Sequence, residues 1–143
     1  MESHPGPFCG RCDSVKITVL SDGHVWIEHG YWRGDYRDWT VNRRRERVSV
    51  ESFALFRERL RAHRPNGELV LRGKPPCETF WHDVDEVWVE WRDRRRADKL
   101  IFNFGCDPET RRGIAEALRA APDALGIPTL KLPQGQWLAI SPS

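Results

Sequence analysis

The sequence predicts an α+β fold: a mainly antiparallel sheet of about five strands with two helices packed on one face. Three observations carry this. Residues 15–20 and 24–29, and again 86–92 and 99–104, alternate apolar and polar side chains, so each can pair as a hairpin with one apolar face. Residues 50–64 and 107–121 repeat apolar side chains at helical spacing behind good capping residues. Polar, glycine- or proline-rich stretches separate all of these segments.

In the first hairpin the turn length decides the register. A two-residue Asp22-Gly23 turn would pair Val19 with Trp26 and mix the faces. A three-residue loop, Ser21-Asp22-Gly23, with Gly23 in the left-handed region, pairs Val19 with Val25 and Ile17 with Ile27. That register places every aliphatic on one face and leaves Lys16, Thr18, Trp26 and Glu28 on the other, so it is the one expected. Residues 30–38 read as a polar turn. A third strand is expected within 39–48, although Arg43 to Arg47 show no apolar alternation.

Ser49 is the expected N-cap of the first helix, whose stripe is Val50, Phe53, Phe56 and Leu60, and Pro65-Asn66-Gly67 stops it. Residues 68–72 suggest a short strand and 73–77 a loop with two prolines. In the second hairpin Val87, Val89 and Trp91 face inward, opposite Leu100, Phe102 and Phe104. Asp107 and Pro108 are the expected N-cap and first position of the second helix, with Ile114, Ala117 and Leu118 inward. A turn near Ala124 and a last strand at 136–140 complete the layout. The helices are expected to cover the aliphatic face, leaving Trp26, Trp88 and Ile101 among charges on the far face.

The 143 residues fit a single domain, with 1–12 a cysteine-bearing lead-in and 127–143 a tail. At this size about 70% of the unfolded surface is buried, so a core can form without staples. Apolar content of 39% and charged content of 31% argue against wholesale disorder. No apolar run approaches the roughly 20 residues of a membrane span. The first ten residues lack the basic-then-apolar pattern of a signal peptide, which reads as cytoplasmic for the chain as given, or exported if it is a fragment. A net charge of +2 implies no polyanionic partner by itself. Arginine is nevertheless concentrated: Arg43, Arg44, Arg45 and Arg47 nearly adjoin. They read either as a solvated charged face or as a nucleic-acid contact.

Cys9-Gly10-Arg11-Cys12 is the sharpest local motif, and Cys77 and Cys106 stand in loops beside strands. Four cysteines can make a tetrahedral thiolate zinc site, and the Cys-x-x-Cys supplies two ligands on one turn. Cys77 and Cys106 lie too far apart in sequence for a standard finger, so Cys9, Cys12, Cys77 and Cys106 would form a composite site, with His4 and His82 as spare ligands. Disulfides, with Cys9–Cys12 or a crossed pairing, and unpaired thiols are the other two readings. A thioredoxin-type activation is missing, because the motif precedes a strand and no helix dipole lowers a thiol pKa.

His82 stands beside Asp83 and Asp85, but neighbouring side chains on an extended segment point apart. No phosphate-binding glycine loop, His-Glu-x-x-His or Gly-x-Ser-x-Gly occurs, so no catalysis and no obligatory cofactor are expected. Seven tryptophans are many for this length. Trp39, Trp81, Trp91 and Trp137 read as core or lid. Trp26 and Trp88, on the outer face beside arginines, read either as covered rings or as a binding surface for another protein or, less expected, for stacked bases.

The run of Cys9-Gly10-x-Cys12, an alternating strand, Ser-Asp-Gly and a second strand resembles bacterial domain-of-unknown-function family 6438. The matching parts are 9–30, 48–60 and 87–118, most of the chain. The resemblance implies the same order of hairpin, helix, hairpin and helix, and no particular activity. Many members are exported, often as lipoproteins, whereas no export signal is legible here. The functional expectation is therefore a non-enzymatic binding or accessory module using Trp26, Trp88 and neighbouring arginines on its outer sheet face. The alternative is a zinc-stabilised nucleic-acid binder using Arg43, Arg44, Arg45 and Arg47.

Overall fold

The computed structural model describes residues 14–33, 38–82, 84–127 and 137–142. In chain order these form β1 (Ser14–Val19), β2 (His24–Arg33), β3 (Asp38–Arg47), α1 (Val50–Arg61), β4 (Glu68–Leu71), β5 (Glu86–Arg92), β6 (Ala97–Asn103), α2 (Arg112–Ala120), a 3-10 turn (Ala121–Leu125) and β7 (Trp137–Pro142). The α+β class is as expected. The sheet has seven strands instead of about five, in the order β3-β2-β1-β7-β5-β6-β4. It consists of two three-stranded halves, β3-β2-β1 and β5-β6-β4, joined by β7.

The three longest ladders are antiparallel: β1 with β2, β2 with β3, and β5 with β6. The shorter ladders of β7 with β1, β7 with β5, and β4 with β6 are parallel. Parallel neighbours need long connections, so the sequence carries no local signal for them. The register of β7 aligns Ile140 with both Ile17 and Val89.

The first hairpin adopts the expected register: Val19 faces Val25 and Ile17 faces Ile27. Gly23 has φ +91°, and a Cβ there would stand 2.6 Å from the carbonyl oxygen of Val48, whose amide donates to Gly23 O at 2.8 Å. The turn thus needs glycine both for its backbone and for the close approach of the chain entering α1. β2 runs on to Arg33 and β3 begins at Asp38, so residues 30–33 and 38, expected in a polar turn, are strand, and β2 pairs with the whole of β3.

Ser49 caps α1, its hydroxyl accepting from the Ser52 amide at 3.1 Å. Phe53, Phe56 and Leu60 are buried, but Val50, expected in the same stripe, is exposed. Val50 is the first helical residue, and Val48 replaces it against the core. Val48 and Phe53 occupy the two positions of a hydrophobic staple. The second helix starts at Arg112, not at Asp107-Pro108, and Arg111 precedes it without a side-chain cap. The Asp107 carboxylate is used elsewhere, as described below.

α1, α2 and the 3-10 turn pack together over one sheet face. The core there joins Val15, Ile17, Val19, Val25, Val87, Val89, Trp91, Leu100 and Phe102 to Phe56, Leu60, Leu118 and Leu125. Each fully buried large side chain contributes about 1.5–3 kcal/mol.

Candidate functional site

The far face of the sheet carries the residues singled out above. Cross-strand register fixes one row as Arg43, Glu28 and Lys16, and the next as Arg45, Trp26 and Thr18. Across β7 the same face continues through Trp88, Ile101 and Val70. Ile101, expected among exposed charges, is 5% exposed. Its cross-strand neighbours Trp88 and Val70 are half-buried, so this part of the face is a small packed apolar cluster.

The two outer tryptophans differ. Trp88 is half-buried and engaged: its Nε1 donates to Glu86 Oε2 at 2.7 Å, and Lys99 Nζ stands 4.3 Å from its ring centroid. Glu86 also receives both arms of the Arg72 guanidinium fork at 2.5 Å. Burial works against charge on Glu86, yet the Arg72 fork and the Trp88 indole hold its carboxyl below the ordinary range. Trp26 is 41% exposed, with the Arg45 guanidinium 5.7 Å from its ring centroid. Beside it, Glu28 accepts from Arg43 Nε at 2.7 Å and lies 3.8 Å from Lys16 Nζ. Lys16, Thr18, Trp26, Glu28 and Arg43 line a shallow, open depression.

The arginine run does not form one patch. It lies in a strand, so Arg43, Arg45 and Arg47 share the outer face, opposite Glu28, Trp26 and His24. Arg44 lies on the opposite face with Glu46, 3.3 Å away. His24 and Asp22 pair at 2.9 Å on the exposed hairpin turn, and the His24 amide donates to the same carboxylate.

The cysteines resolve in part. Cys77 and Cys106 form a disulfide with Cα atoms 5.3 Å apart, both residues buried. Bonded to each other, these sulfurs are not thiolate ligands, which removes half of the four-cysteine zinc set. Cys9 and Cys12, with His4, lie outside the described residues. Asp107 completes a group of three with the two sulfurs, its Oδ2 4.0 Å from Cys106 Sγ. Its carboxylate already accepts from the Thr79 amide at 2.8 Å and from Arg111 Nε at 3.5 Å, and these contacts hold it below the ordinary range. That commitment is why Asp107 does not cap α2.

Residues 77–81 are thereby clasped to 105–107. Phe80 bridges Cys106, and the Trp81 amide donates to Gly105 O at 2.9 Å. A Cβ on Gly105 would meet Trp81 O at 2.1 Å. Trp81, expected as core or lid, is 58% exposed. His82 is exposed too, its ring edge-on to Phe80 with centroids 5.1 Å apart. Trp91 is buried as expected and Trp39 half-buried, while the side chain of Trp137 lies outside the description.

Sequence reasoning did not find Asp98, which is 5% exposed. It accepts from the Gly67 amide at 2.8 Å, from Arg64 Nε at 2.5 Å and from Arg96 Nε at 2.9 Å. The Gly67 amide, then Arg64 and Arg96, hold its carboxyl below the ordinary range. Asp93 is lowered to about 2 by the backbone amides of Arg95 and Arg96, with Arg64 adding to them. The cluster ties the end of α1 to the β5–β6 turn. Asp98 falls just before the strand read at 99–104, in phase with the inward Leu100 and Phe102, and that phase was the available signal.

No family model matches the chain, and no curated protein or solved structure matches it either.

Proposed function

We propose that this protein is a non-enzymatic binding or accessory module that docks another protein on its outer sheet face, centred on Trp26. One observation carries the reading: a large ring left 41% exposed on the sheet face opposite the helices, stacked with Arg45 and flanked by Arg43 and Glu28. Burying such a ring on a partner removes much apolar area from water, and aromatic and arginine side chains dominate protein-interface energetics. Trp88 supports the face more than it contacts the partner, because its indole already serves Glu86.

The nucleic-acid alternative draws less support. Arg44 lies off the face, Arg43 is paired with Glu28, and Cys77 and Cys106 are bonded to each other. The likeness to family 6438 remains a proposal about ancestry and adds no activity. A disulfide persists best in an oxidising compartment, which favours an exported setting over the cytoplasmic one. No described helix is long and apolar enough to cross a membrane.

The test is thermal unfolding of Trp26→Ala, alone and with Trp88→Ala. Both variants are expected to keep a cooperative transition and native amide dispersion. Loss of the fold in Trp26→Ala would make that ring a core residue and end the proposal. Steeply salt-dependent affinity for a short oligonucleotide would favour the alternative.

A further inference from the structure

β3 is an edge of the sheet formed by the described residues, and it is ten residues long. Natural proteins keep edge strands short, bulged or charged, because an open edge offers backbone donors and acceptors to any passing strand. This one is charged in a particular pattern. Its outer face shows arginine at every alternate position from 43 to 47, about 7 Å apart along the strand. Arg43, Arg45 and Arg47 are all exposed. Among the described residues the acids near them are few: Glu28 lies opposite Arg43 and is shared with Lys16, Asp22 is near enough to Arg47 to feel its charge but pairs with His24, and Arg45 faces Trp26.

A strand added to β3 would bring its own alternate side chains directly opposite these three guanidinium groups, within about 5 Å at Cβ. A second copy of this chain pairing through β3 in antiparallel register centred on Arg45 would set arginine against arginine, which is repulsive. A peptide with carboxylates at alternate positions would meet a cation at each one. A single-stranded nucleic acid could answer the charge, but it cannot return both the donors and the acceptors of a strand edge.

We propose that β3 binds an extended acidic peptide as an eighth strand, with glutamate or aspartate at alternate positions against Arg43, Arg45 and Arg47. The intervening side chains of that peptide face Arg44 and Glu46. Its outer-face residues reach toward Trp26 across β3. The inference rests on the outer-face reading above and names the partner chemistry for it.

The experiment uses a fluorescent nine-residue peptide alternating glutamate and threonine, its lysine–threonine counterpart, and the acidic peptide N-methylated at every second residue in both phases. A nine-nucleotide oligothymidylate is the fourth probe. Binding is read by anisotropy, and the contact by amide and indole shifts of the isotope-labelled wild-type chain. The acidic peptide is expected to bind and the lysine peptide not to. One N-methylated phase is expected to lose binding, and amide shifts are expected to follow 38–47. Arg43→Glu with Arg45→Glu and Arg47→Glu should lower affinity about tenfold or more and admit the lysine peptide instead. If that variant fails to fold, the wild-type shift map and the N-methylated pair decide alone.

Shifts at the Trp26 indole without β3 amides, or equal binding of both N-methylated phases, overturn the strand-addition inference and leave the outer-face reading standing. Shifts at the β3 amides, with affinity unchanged in Trp26→Ala, uphold the inference and end the outer-face reading. Tighter binding of the oligothymidylate, self-association through β3, or no binding of the acidic peptide overturns the inference outright.

Discussion

The two halves of the sheet are built alike and anchored differently. Each is a hairpin with a third strand, covered on one face by the same helical layer. The half made of β4, β5 and β6 is fastened at three places. The Cys77–Cys106 disulfide and the Asp107 carboxylate clasp the loop after β4 to the segment after β6. Asp98 collects Gly67, Arg64 and Arg96 under the β5–β6 turn. Glu86 locks Trp88 to Arg72 on the outer face. Among the described residues, the half made of β1, β2 and β3 carries surface ion pairs and an exposed Trp26, and β3 is the end strand of the sheet. Exposed ion pairs contribute little and rearrange easily. The contrast shows how a small domain can concentrate its fastenings in one half of a sheet.

Acid tests the contrast most severely. Asp93, Asp98, Glu86 and Asp107, all in the fastened half, have carboxyls held below their ordinary values, against Asp22 alone in the other half among the described residues. Groups with lowered folded-state pKa bind fewer protons folded than unfolded. Their stabilisation is therefore present above the ordinary carboxylate range and is lost as pH falls through the folded values. Between about pH 4 and about pH 2, amide exchange should rise first in β4–β6, reversing the order of protection at neutral pH. Earlier loss in β1–β3 would refute the assignment of these carboxylates as the main fastenings.

Removing the disulfide comes next. Cys77→Ser with Cys106→Ser opens a loop spanning 29 positions and should cost about 3–4 kcal/mol in urea unfolding. New local exchange is expected in 73–82, with β1–β3 unchanged below the global transition. Gly23→Ala strikes the other half: a Cβ at 2.6 Å from Val48 O, on a backbone at φ +91°, should cost about 1–3 kcal/mol. The outer tryptophans complete the series, and their inequality is the point. Trp88→Ala should cost about 1–3 kcal/mol, because it uncovers Ile101 and strips Glu86 of a donor. Trp26→Ala should stay within about 0.5 kcal/mol. Equal costs would erase the distinction between the two halves.

Much of this was legible locally. Turn length and the apolar alternation were enough to set the first hairpin in register, because a one-residue slip would have buried Trp26 and exposed Val25. The second hairpin and the Ser49 cap followed from spacing in the same way. Placing Trp26 and Trp88 on the outer face was equally a matter of period two.

Other features depended on residues distant in sequence. Asp107-Pro108 is a good helix start by local rules, yet Thr79 and Arg111 claim the carboxylate and α2 begins later. Cysteine spacing leaves metal, disulfide and thiol open, and only the approach of two loops pairs Cys77 with Cys106. Trp26 and Trp88 read alike in sequence. What separates them is Glu86, Arg72 and Lys99 gathered around one ring and not the other. β7 is the extreme case. Its strand character is visible, but its place at the centre of the sheet, parallel to both β1 and β5, is not. Local spacing carried most elements, the faces of both hairpins and the register of the first, because those depend on neighbours a few positions apart. How the halves join, which charges are fastened and which tryptophan is left exposed depend on contacts between distant residues that no local period encodes.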